Sequence, residues 1–149
     1  MRVNVIGVGK LGLAYAAFIS SRGHQVLGVD KSPELIDSYK RGDYLTKEPG
    51  VVELAQKFPM KFSTEIEDAD VSIILVNTPT SYAGYDHSIL ESVLDKVKGP
   101  VIVTCTVQPG FCDRYADRKL VYNPLFVQIG NVIANLESVT DVLIGAPEA

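Results

Sequence analysis

The chain has 149 residues, of which 46% are hydrophobic and 21% are charged, and this composition is typical of one globular domain with its own core. The net charge of −4 and the lack of any apolar run near the ~20 residues that cross a bilayer argue against nucleic-acid and membrane partners. The two cysteines, Cys105 and Cys112, have no metal-ligand spacing, and no signal-peptide pattern precedes the first strand, which favours a reduced, cytoplasmic protein.

The first 30 residues predict a strand, a glycine-rich turn, a helix and a second strand. The apolar segments that carry this pattern are residues 3–6, 13–20 and 25–29. The turn after the first strand has the pattern G-x-G-x-x-G, and the second strand ends at Asp30. A lone glycine motif is a weak signal, but a strand before it, a helix after it and an acid at the end of the next strand together predict dinucleotide binding.

Each part of this unit has a mechanical role. Gly7 permits the tight turn, Gly9 lets the backbone approach a pyrophosphate, and Gly12 lets the helix pack closely on the sheet. The helix N-terminus offers unpaired N–H groups and the positive end of its dipole to phosphates. Asp30 is positioned to accept hydrogen bonds from the adenosine ribose. Because its charge opposes a 2′-phosphate, NAD is favoured over NADP even though Lys31 is adjacent.

Strands and helices alternate along the rest of the chain, which predicts a parallel α/β sheet covered on both faces. Ser32 is predicted to cap a helix that begins at Pro33 and ends near residue 40. Further helices or helical turns are predicted at residues 51–57, 65–69, 88–98 (capped by Asp86) and 111–118. Further strands are predicted at residues 61–64, 71–76, 101–105, 120–122 and 142–144. The prediction is therefore a Rossmann-type, doubly wound fold with a mainly parallel sheet, as one domain over residues 1–149.

Several motifs beyond the glycine loop occur in a distinctive order. They are Glu48-Pro49-Gly50, Val76-Asn77-Thr78-Pro79, Cys105-Thr106-Val107-Gln108-Pro109-Gly110 and Tyr122-Asn123-Pro124. In order and spacing the whole chain resembles the N-terminal, NAD-binding domain of the UDP-glucose/GDP-mannose dehydrogenases. The resemblance implies NAD as the cofactor and a position for Thr106 near its nicotinamide end. The candidate cofactor-binding residues are Gly7, Gly9, Lys10, Leu11, Gly12, Asp30, Lys31, Asn77, Thr78, Pro79 and Thr106.

The resemblance also implies what this chain lacks. Members of that family oxidise the primary alcohol of a nucleotide sugar twice with two NAD, through a cysteine thiohemiacetal and thioester. Their catalytic cysteine and lysine lie in later domains, and neither Cys105 nor Cys112 matches that cysteine. The acidic residues that follow the family's Tyr-Asn-Pro motif are replaced here by Leu125 and Ile129, which cannot accept a proton. The prediction is an NAD(H)-binding domain with no catalytic residues of its own and no metal.

Two other functions stay open. The chain could be the NAD-binding part of a split or truncated UDP-sugar 6-dehydrogenase, working with a separate catalytic chain, or it could be a non-catalytic interaction module. Apolar residues after Tyr122, which longer relatives would cover with a second domain, also favour self-association as a dimer.

Four side chains each allow two interpretations. Lys10 could contact phosphate, although a solvated surface lysine is the simpler interpretation. Glu48 is a cofactor-side or turn-stabilising residue rather than a general acid. Tyr82 and Tyr85, in a predicted loop, could pack on the adenine or on a partner, or could only cover the domain.

Overall fold

The sheet is formed from six strands that lie between residues 2 and 122. The structure is a computed structural model and describes residues 1–146, so the last three residues of the predicted domain lie outside the described residues. The strands are β1 (Arg2–Ile6), β2 (Gln25–Val29), β3 (Lys61–Ser63), β4 (Val71–Ile74), β5 (Thr80–Ser81), β6 (Gly84–Tyr85), β7 (Val101–Val103) and β8 (Leu120–Tyr122). Six of them pair in parallel in the order β3-β2-β1-β4-β7-β8, while β5 and β6 form a separate hairpin. The order reverses between β1 and β4, which is the predicted doubly wound topology.

Strand β1 lies at the centre of the sheet and separates two hydrophobic cores. Because successive side chains of a strand point to opposite faces, Val3 and Val5 enter one core and Ile6 enters the other. Asn4 is the buried polar exception in this strand. Its Nδ2 donates to the Glu67 carbonyl oxygen at 2.6 Å and to the Ser72 Oγ at 3.3 Å.

Helices cover both faces of the sheet. They are α1 (Lys10–Ser21), α2 (Pro33–Lys40), α3 (Val51–Lys57), α4 (Ser88–Leu94) and α5 (Val132–Ser138), with a short 3₁₀ helix at Cys112–Tyr115. The first core contains buried residues of α1, α2, α3 and α5, and the second contains those of α4. As predicted, the Ser32 Oγ caps α2 by accepting from the Leu35 N–H at 3.2 Å. Within the described residues no helix is long and apolar enough to cross a membrane.

The C-terminal segment differs from its prediction. No strand forms at residues 142–144, and the chain meets β8 only through an isolated antiparallel bridge between Tyr122 and Gly145. Helix α5, which the sequence did not predict, packs instead on α1 through Val132, Ile133 and Leu136. The apolar run at 142–144 has the composition of a strand, but all three side chains are exposed, so no core is available to stabilise one.

Two predicted local structures are also wrong. Residues 65–69 form no helical turn, because the backbone there is used elsewhere: the Glu67 carbonyl accepts from Asn4, and the Glu65 N–H donates to the Ser63 Oγ. Residues 81–85 are not an irregular loop, since β5 and β6 pair with Ser81 opposite Gly84, whose φ of +110° suits the turn.

Other elements are shorter than predicted. The helix predicted at 88–98 ends at Leu94, and the one predicted at 111–118 is reduced to the 3₁₀ helix. Strands β4 and β7 end two residues early, at Ile74 and Val103. The residues that directly follow these two strands line the site described next.

Candidate cofactor-binding site

Two clefts open at the carboxyl ends of the central strands. One has a volume of about 360 Å³ and includes Asp30 and Lys31; we call it the Asp30 cleft. The other, of about 410 Å³, includes Thr106, and we call it the Thr106 cleft. The residues that line both clefts are Gly7, Gly9, Leu75, Val76 and Asn77. The clefts therefore meet at the glycine loop and form one elongated groove at the point where the strand order reverses, which is where doubly wound sheets bind ligands.

Two of the three motif glycines occupy positions where a side chain would clash with backbone, and the third faces the groove. Gly7 has a φ of +93°, and a Cβ on it would lie 2.6 Å from the Leu75 carbonyl oxygen. A Cβ on Gly12 would overlap the carbonyl oxygen of Gly7, so this glycine allows α1 to approach β1 closely. A Cβ on Gly9 would meet nothing within 4 Å, because this residue faces the open groove. The backbone at Gly9 is thus exposed to any ligand that lies there.

Helix α1 presents its N-terminus to the groove. The Leu13 N–H donates to the Gly9 carbonyl at 2.9 Å, and the amides of Lys10, Leu11 and Gly12 precede this first helical hydrogen bond. The first turn of α1 contains no acidic residue, so no carboxylate offsets the positive end of the helix dipole. This end of the groove favours an anion.

A buried tyrosine that the sequence analysis did not single out braces the glycine loop. The Tyr39 hydroxyl donates to the Val8 carbonyl at 3.1 Å, and its residue is only 3% exposed. Its ring packs against those of Phe62 and Tyr44, at centroid distances of 5.2 and 5.8 Å. Burial, with a smaller contribution from Asp30, raises the pKa of Tyr39 to about 12, so the hydroxyl stays a donor at neutral pH. The one available signal was its position three residues after the buried Ile36, because a core tyrosine needs a partner for its hydroxyl.

Asp30 is held at the edge of its cleft. Its N–H donates to the Ser63 carbonyl at 3.2 Å, and its Oδ1 accepts from the Ser32 N–H at 3.1 Å. These bonds orient the carboxylate while engaging one of its oxygens. The lining of the Asp30 cleft also includes three aliphatic side chains, Ile66, Ile89 and Val93, which the sequence analysis did not assign to the site. A carboxylate beside an aliphatic wall suits a ribose that carries an aromatic base.

The Thr106 cleft is lined by the neutral polar side chains of Asn77, Thr78 and Thr106 and by the exposed Lys10. Leu125 and Ile129, which the sequence analysis expects at the family's acidic positions, also line it. Burial raises the pKa of the Cys105 thiol to about 11, so Cys105 is a neutral thiol at neutral pH and a poor nucleophile.

Ten of the eleven candidate residues line one or both clefts, and the remaining one lies elsewhere. Pro79 belongs to neither lining; its carbonyl accepts from the Asp86 N–H at 2.7 Å, beside the β5–β6 hairpin. Tyr82 is fully exposed at the tip of that hairpin, and neither it nor Tyr85 lines a cleft.

Glu48 has a structural contact rather than a position in the groove. It is 4% exposed, and its two carboxylate oxygens accept from the Gly130 N–H at 2.9 and 2.8 Å. The same segment of chain carries Leu125 and Ile129. Glu48 therefore tethers one wall of the Thr106 cleft to the turn that precedes α3.

The topology and the groove define a dinucleotide-binding domain, and comparison with known proteins identifies its family. The sequence model described as UDP-glucose/GDP-mannose dehydrogenase family, NAD binding domain, matches residues 1–149. The chain is 33% identical to the GDP-mannose 6-dehydrogenase of Pseudomonas aeruginosa, over 74% of this chain and 29% of that protein. It is 35% identical to a UDP-N-acetyl-D-mannosamine dehydrogenase of Methanococcus vannielii, over 52% of this chain and 19% of that protein.

Solved structures agree. A ternary complex of GDP-mannose dehydrogenase from Pseudomonas aeruginosa superposes with a TM-score of 0.87 and 28% identity, covering 98% of this chain and 41% of that one. The UDP-N-acetyl-mannosamine dehydrogenase of Staphylococcus aureus gives a TM-score of 0.84 and 28% identity, covering 97% of this chain and 41% of that one. The chain belongs to the UDP-glucose/GDP-mannose dehydrogenase family, of which it is the N-terminal, NAD-binding domain, and NAD is its cofactor. It spans less than half the length of these relatives.

Proposed function

We propose that the domain binds NAD(H) along the whole groove, with the adenosine half in the Asp30 cleft and the nicotinamide half in the Thr106 cleft. The observation that carries this proposal is that the two clefts share the glycine loop, which leaves the pyrophosphate at the N-terminus of α1. Asp30 would accept hydrogen bonds from the ribose, and Ile66, Ile89 and Val93 would cover the base. When bound, the nicotinamide ring supplies hydride transfer.

The same arrangement supports a preference for NAD(H) over NADP(H). A 2′-phosphate on the adenosine ribose would come close to the Asp30 carboxylate, and the two negative charges repel. Lys31 lines the same cleft but is exposed, so that water screens its charge.

Asp30→Ala tests this assignment. We expect it to weaken NADH binding by about 1–3 kcal/mol, the range for lost charge-assisted hydrogen bonds, and to narrow the difference between NADH and NADPH. The chain contains no tryptophan, so the fluorescence of bound NADH can be titrated directly. Asp37→Ala, at an exposed position of α2, is the matched control and should bind as the original does. Equal or tighter binding of NADPH to the unmodified protein would contradict the assignment.

We further propose that the chain alone does not oxidise a nucleotide sugar. Partial burial raises the pKa of the Cys105 thiol to about 11, so this thiol is a poor nucleophile for a covalent oxidation at neutral pH. Leu125 and Ile129 supply no carboxylate at the Thr106 cleft. We expect no sustained NADH production from NAD and a panel of sugar nucleotides, and turnover that Gly9→Asp abolishes would contradict this.

A second candidate function is that of one chain in a two-chain dehydrogenase. Exposed apolar side chains cluster in sequence near the C-terminal end, at Phe126, Val139, Val142, Leu143 and Ile144. Such residues suit a surface covered by another protein. If this surface binds a separate catalytic chain, adding that chain should restore sugar oxidation. If it binds a second copy of this chain, sedimentation should show a dimer.

We place the protein in the cytoplasm. Both cysteines are free thiols in the structure. This supports a reducing compartment, because pairs of cysteines in oxidising compartments generally form disulfides.

A further inference from the structure

A further cavity, of about 410 Å³, lies at the edge of the sheet opposite to the groove. It is lined by the first residues of β1, by residues 24–27, by the start of β3 and by residues 67–69, which lie between β3 and β4. The groove is at the carboxyl ends of the strands and this cavity is at their amino ends, so no residue lines both. Its volume is within the range of small-molecule sites, about 300–1,000 Å³. We call it the Asn4 cavity.

A row of three side chains from neighbouring strands contributes to this lining. Asn4 of β1 pairs with Leu27 of β2, and Leu27 pairs with Lys61 of β3. Paired residues of parallel strands point to the same face of the sheet, so an amide, an aliphatic group and an ammonium group lie side by side. Residues 67–69 cross this face as an irregular segment, which is attached to the row because the Glu67 carbonyl accepts from Asn4 Nδ2 at 2.6 Å.

Asn4 is 2% exposed, and the protein uses only one side of its amide. Its Nδ2 donates to the Glu67 carbonyl and to the Ser72 Oγ, whereas no described residue donates to its Oδ1. Every polar side-chain atom that is sealed inside the described structure has a partner, so Asn4 Oδ1 is accessible through the cavity that Asn4 lines. A polar atom at this depth is normally hydrogen-bonded, so Oδ1 accepts from whatever occupies the cavity.

Charged side chains of both signs line the same cavity. Lys61 belongs to β3, at one end of the row, and Glu67 and Asp68 belong to the crossing segment. None of the three forms a salt bridge with a described residue, whereas the Arg2 guanidinium pairs with Asp70 at 3.5 Å. Two carboxylates with an accessible amide oxygen favour an ammonium group, and the Lys61 ammonium favours a carboxylate.

We infer that the Asn4 cavity is a binding site for a small zwitterionic amino acid. The ammonium group of the ligand donates to Asn4 Oδ1 and is neutralised by the carboxylates of residues 67 and 68, while the carboxylate of the ligand pairs with Lys61. A simple amine would leave Lys61 unpaired, and a simple acid would leave the two carboxylates unpaired. The aliphatic part of the lining, which suits an apolar side chain on the ligand, is Leu27, Pro59 and Ala69.

A titration of isotope-labelled protein with L-leucine, followed by NMR, tests the site, and two matched compounds test its two halves. Isoamylamine is leucine without its carboxylate, and isocaproate is leucine without its ammonium group. We expect leucine to bind at least about tenfold more tightly than either compound, because each of them lacks one charge-assisted contact. Isoamylamine or isocaproate binding as tightly as leucine would overturn the assignment of a zwitterion, and absence of binding by leucine would overturn the site.

Variants at exposed positions separate the two halves of the site without disturbing the core. Lys61→Gln should weaken leucine binding by about tenfold and leave isoamylamine binding unchanged. The double variant Glu67→Gln/Asp68→Asn should weaken both leucine and isoamylamine but not isocaproate. Lys47→Gln, at an exposed position outside this cavity, is the matched control and should bind leucine as the original does. An equal loss in Lys61→Gln and Lys47→Gln would overturn the role of Lys61.

The amide of Asn4 supplies a readout that a loose ionic contact at the surface would not change. Leucine should shift the side-chain amide resonances of Asn4, and shifts confined to Lys61 and residues 67–68 would overturn the site. Saturating NADH should leave the affinity for leucine within about twofold, because ligands at independent sites have little coupling free energy. Displacement of leucine by NADH would place the amino acid in the groove and overturn the inference, whereas absence of NADH binding would overturn the proposed function alone.

Discussion

The glycine-loop unit at the start of the chain and the segment from residue 123 to residue 146 have different structural origins. In the first unit, Gly7 and Gly12 are required by contacts within a few residues or with the adjacent strand. In the second, the chain is held by distant partners: Gly130 by Glu48, and the Leu143 carbonyl by the Asn123 side chain. The sequence pattern of the first unit already contains the glycines that its contacts require, whereas the contacts of the second join residues that no sequence pattern relates.

Of the substitutions that test this comparison, Gly12→Ala is expected to cause the largest loss in the free energy of unfolding. The added Cβ would overlap the Gly7 carbonyl oxygen, and this backbone atom cannot move aside as a flexible side chain could. We expect a loss of about 3–4 kcal/mol in the free energy of unfolding, which places it among the severe substitutions. Urea denaturation measures it.

Gly9→Ala is the control within the same loop, because its Cβ would meet no atom within 4 Å and its φ of −64° suits alanine. Its stability should stay within about 0.5 kcal/mol of the original. NADH affinity should fall at least tenfold, since the methyl group occupies the groove. A stable Gly12→Ala protein would show that the loop is not fixed by local contacts.

Tyr39→Phe has the next largest expected effect. Loss of the hydroxyl leaves the Val8 carbonyl without this donor, which costs about 1–2 kcal/mol in the free energy of unfolding and loosens the glycine loop. Affinity for NADH and for ADP should fall severalfold, while affinity for adenosine, which has no phosphate, should not. Tyr44→Phe, in the same aromatic cluster, is the control.

The raised pKa of Tyr39 makes the stability of the fold depend on pH, and the direction of this dependence is defined. The folded protein holds this proton up to about pH 12, whereas a tyrosine in the unfolded chain releases it near pH 10. The contribution of the protonated Tyr39 to the free energy of unfolding is therefore complete below pH 10 and is lost as the pH rises to 12. Unfolding curves of Tyr39→Phe should show a smaller loss of stability over this interval. An identical loss would mean that Tyr39 does not titrate as its environment indicates.

The same contrast explains how much the sequence predicted. The six sheet strands, the cap at Ser32 and the glycines and Asp30 of the groove follow from local patterns, whereas Asn77, Thr78 and Thr106 come from the family resemblance. Tyr39 could not be assigned, because its partner lies 31 residues away. The aliphatic side chains Ile66, Ile89 and Val93 come from two separate parts of the chain, the irregular segment after β3 and helix α4. The apolar run at 142–144 predicted a strand because composition does not reveal whether a core is available to cover it.

Glu48→Gln is expected to have the smallest effect, and it tests the distant tether directly. Glutamine can still accept from the Gly130 N–H through its carbonyl oxygen, but the bond loses its charge assistance, so we expect a loss of about 1 kcal/mol or less in stability. Because the tethered segment carries Leu125 and Ile129, hydrogen exchange at Gly130 and its neighbours should accelerate while exchange in α1 stays unchanged. Glu53→Gln, at an exposed position of α3, is the control and should alter neither. Unchanged exchange at Gly130 in Glu48→Gln would mean that the C-terminal segment is held by its local contacts, and the contrast with the glycine loop would be lost.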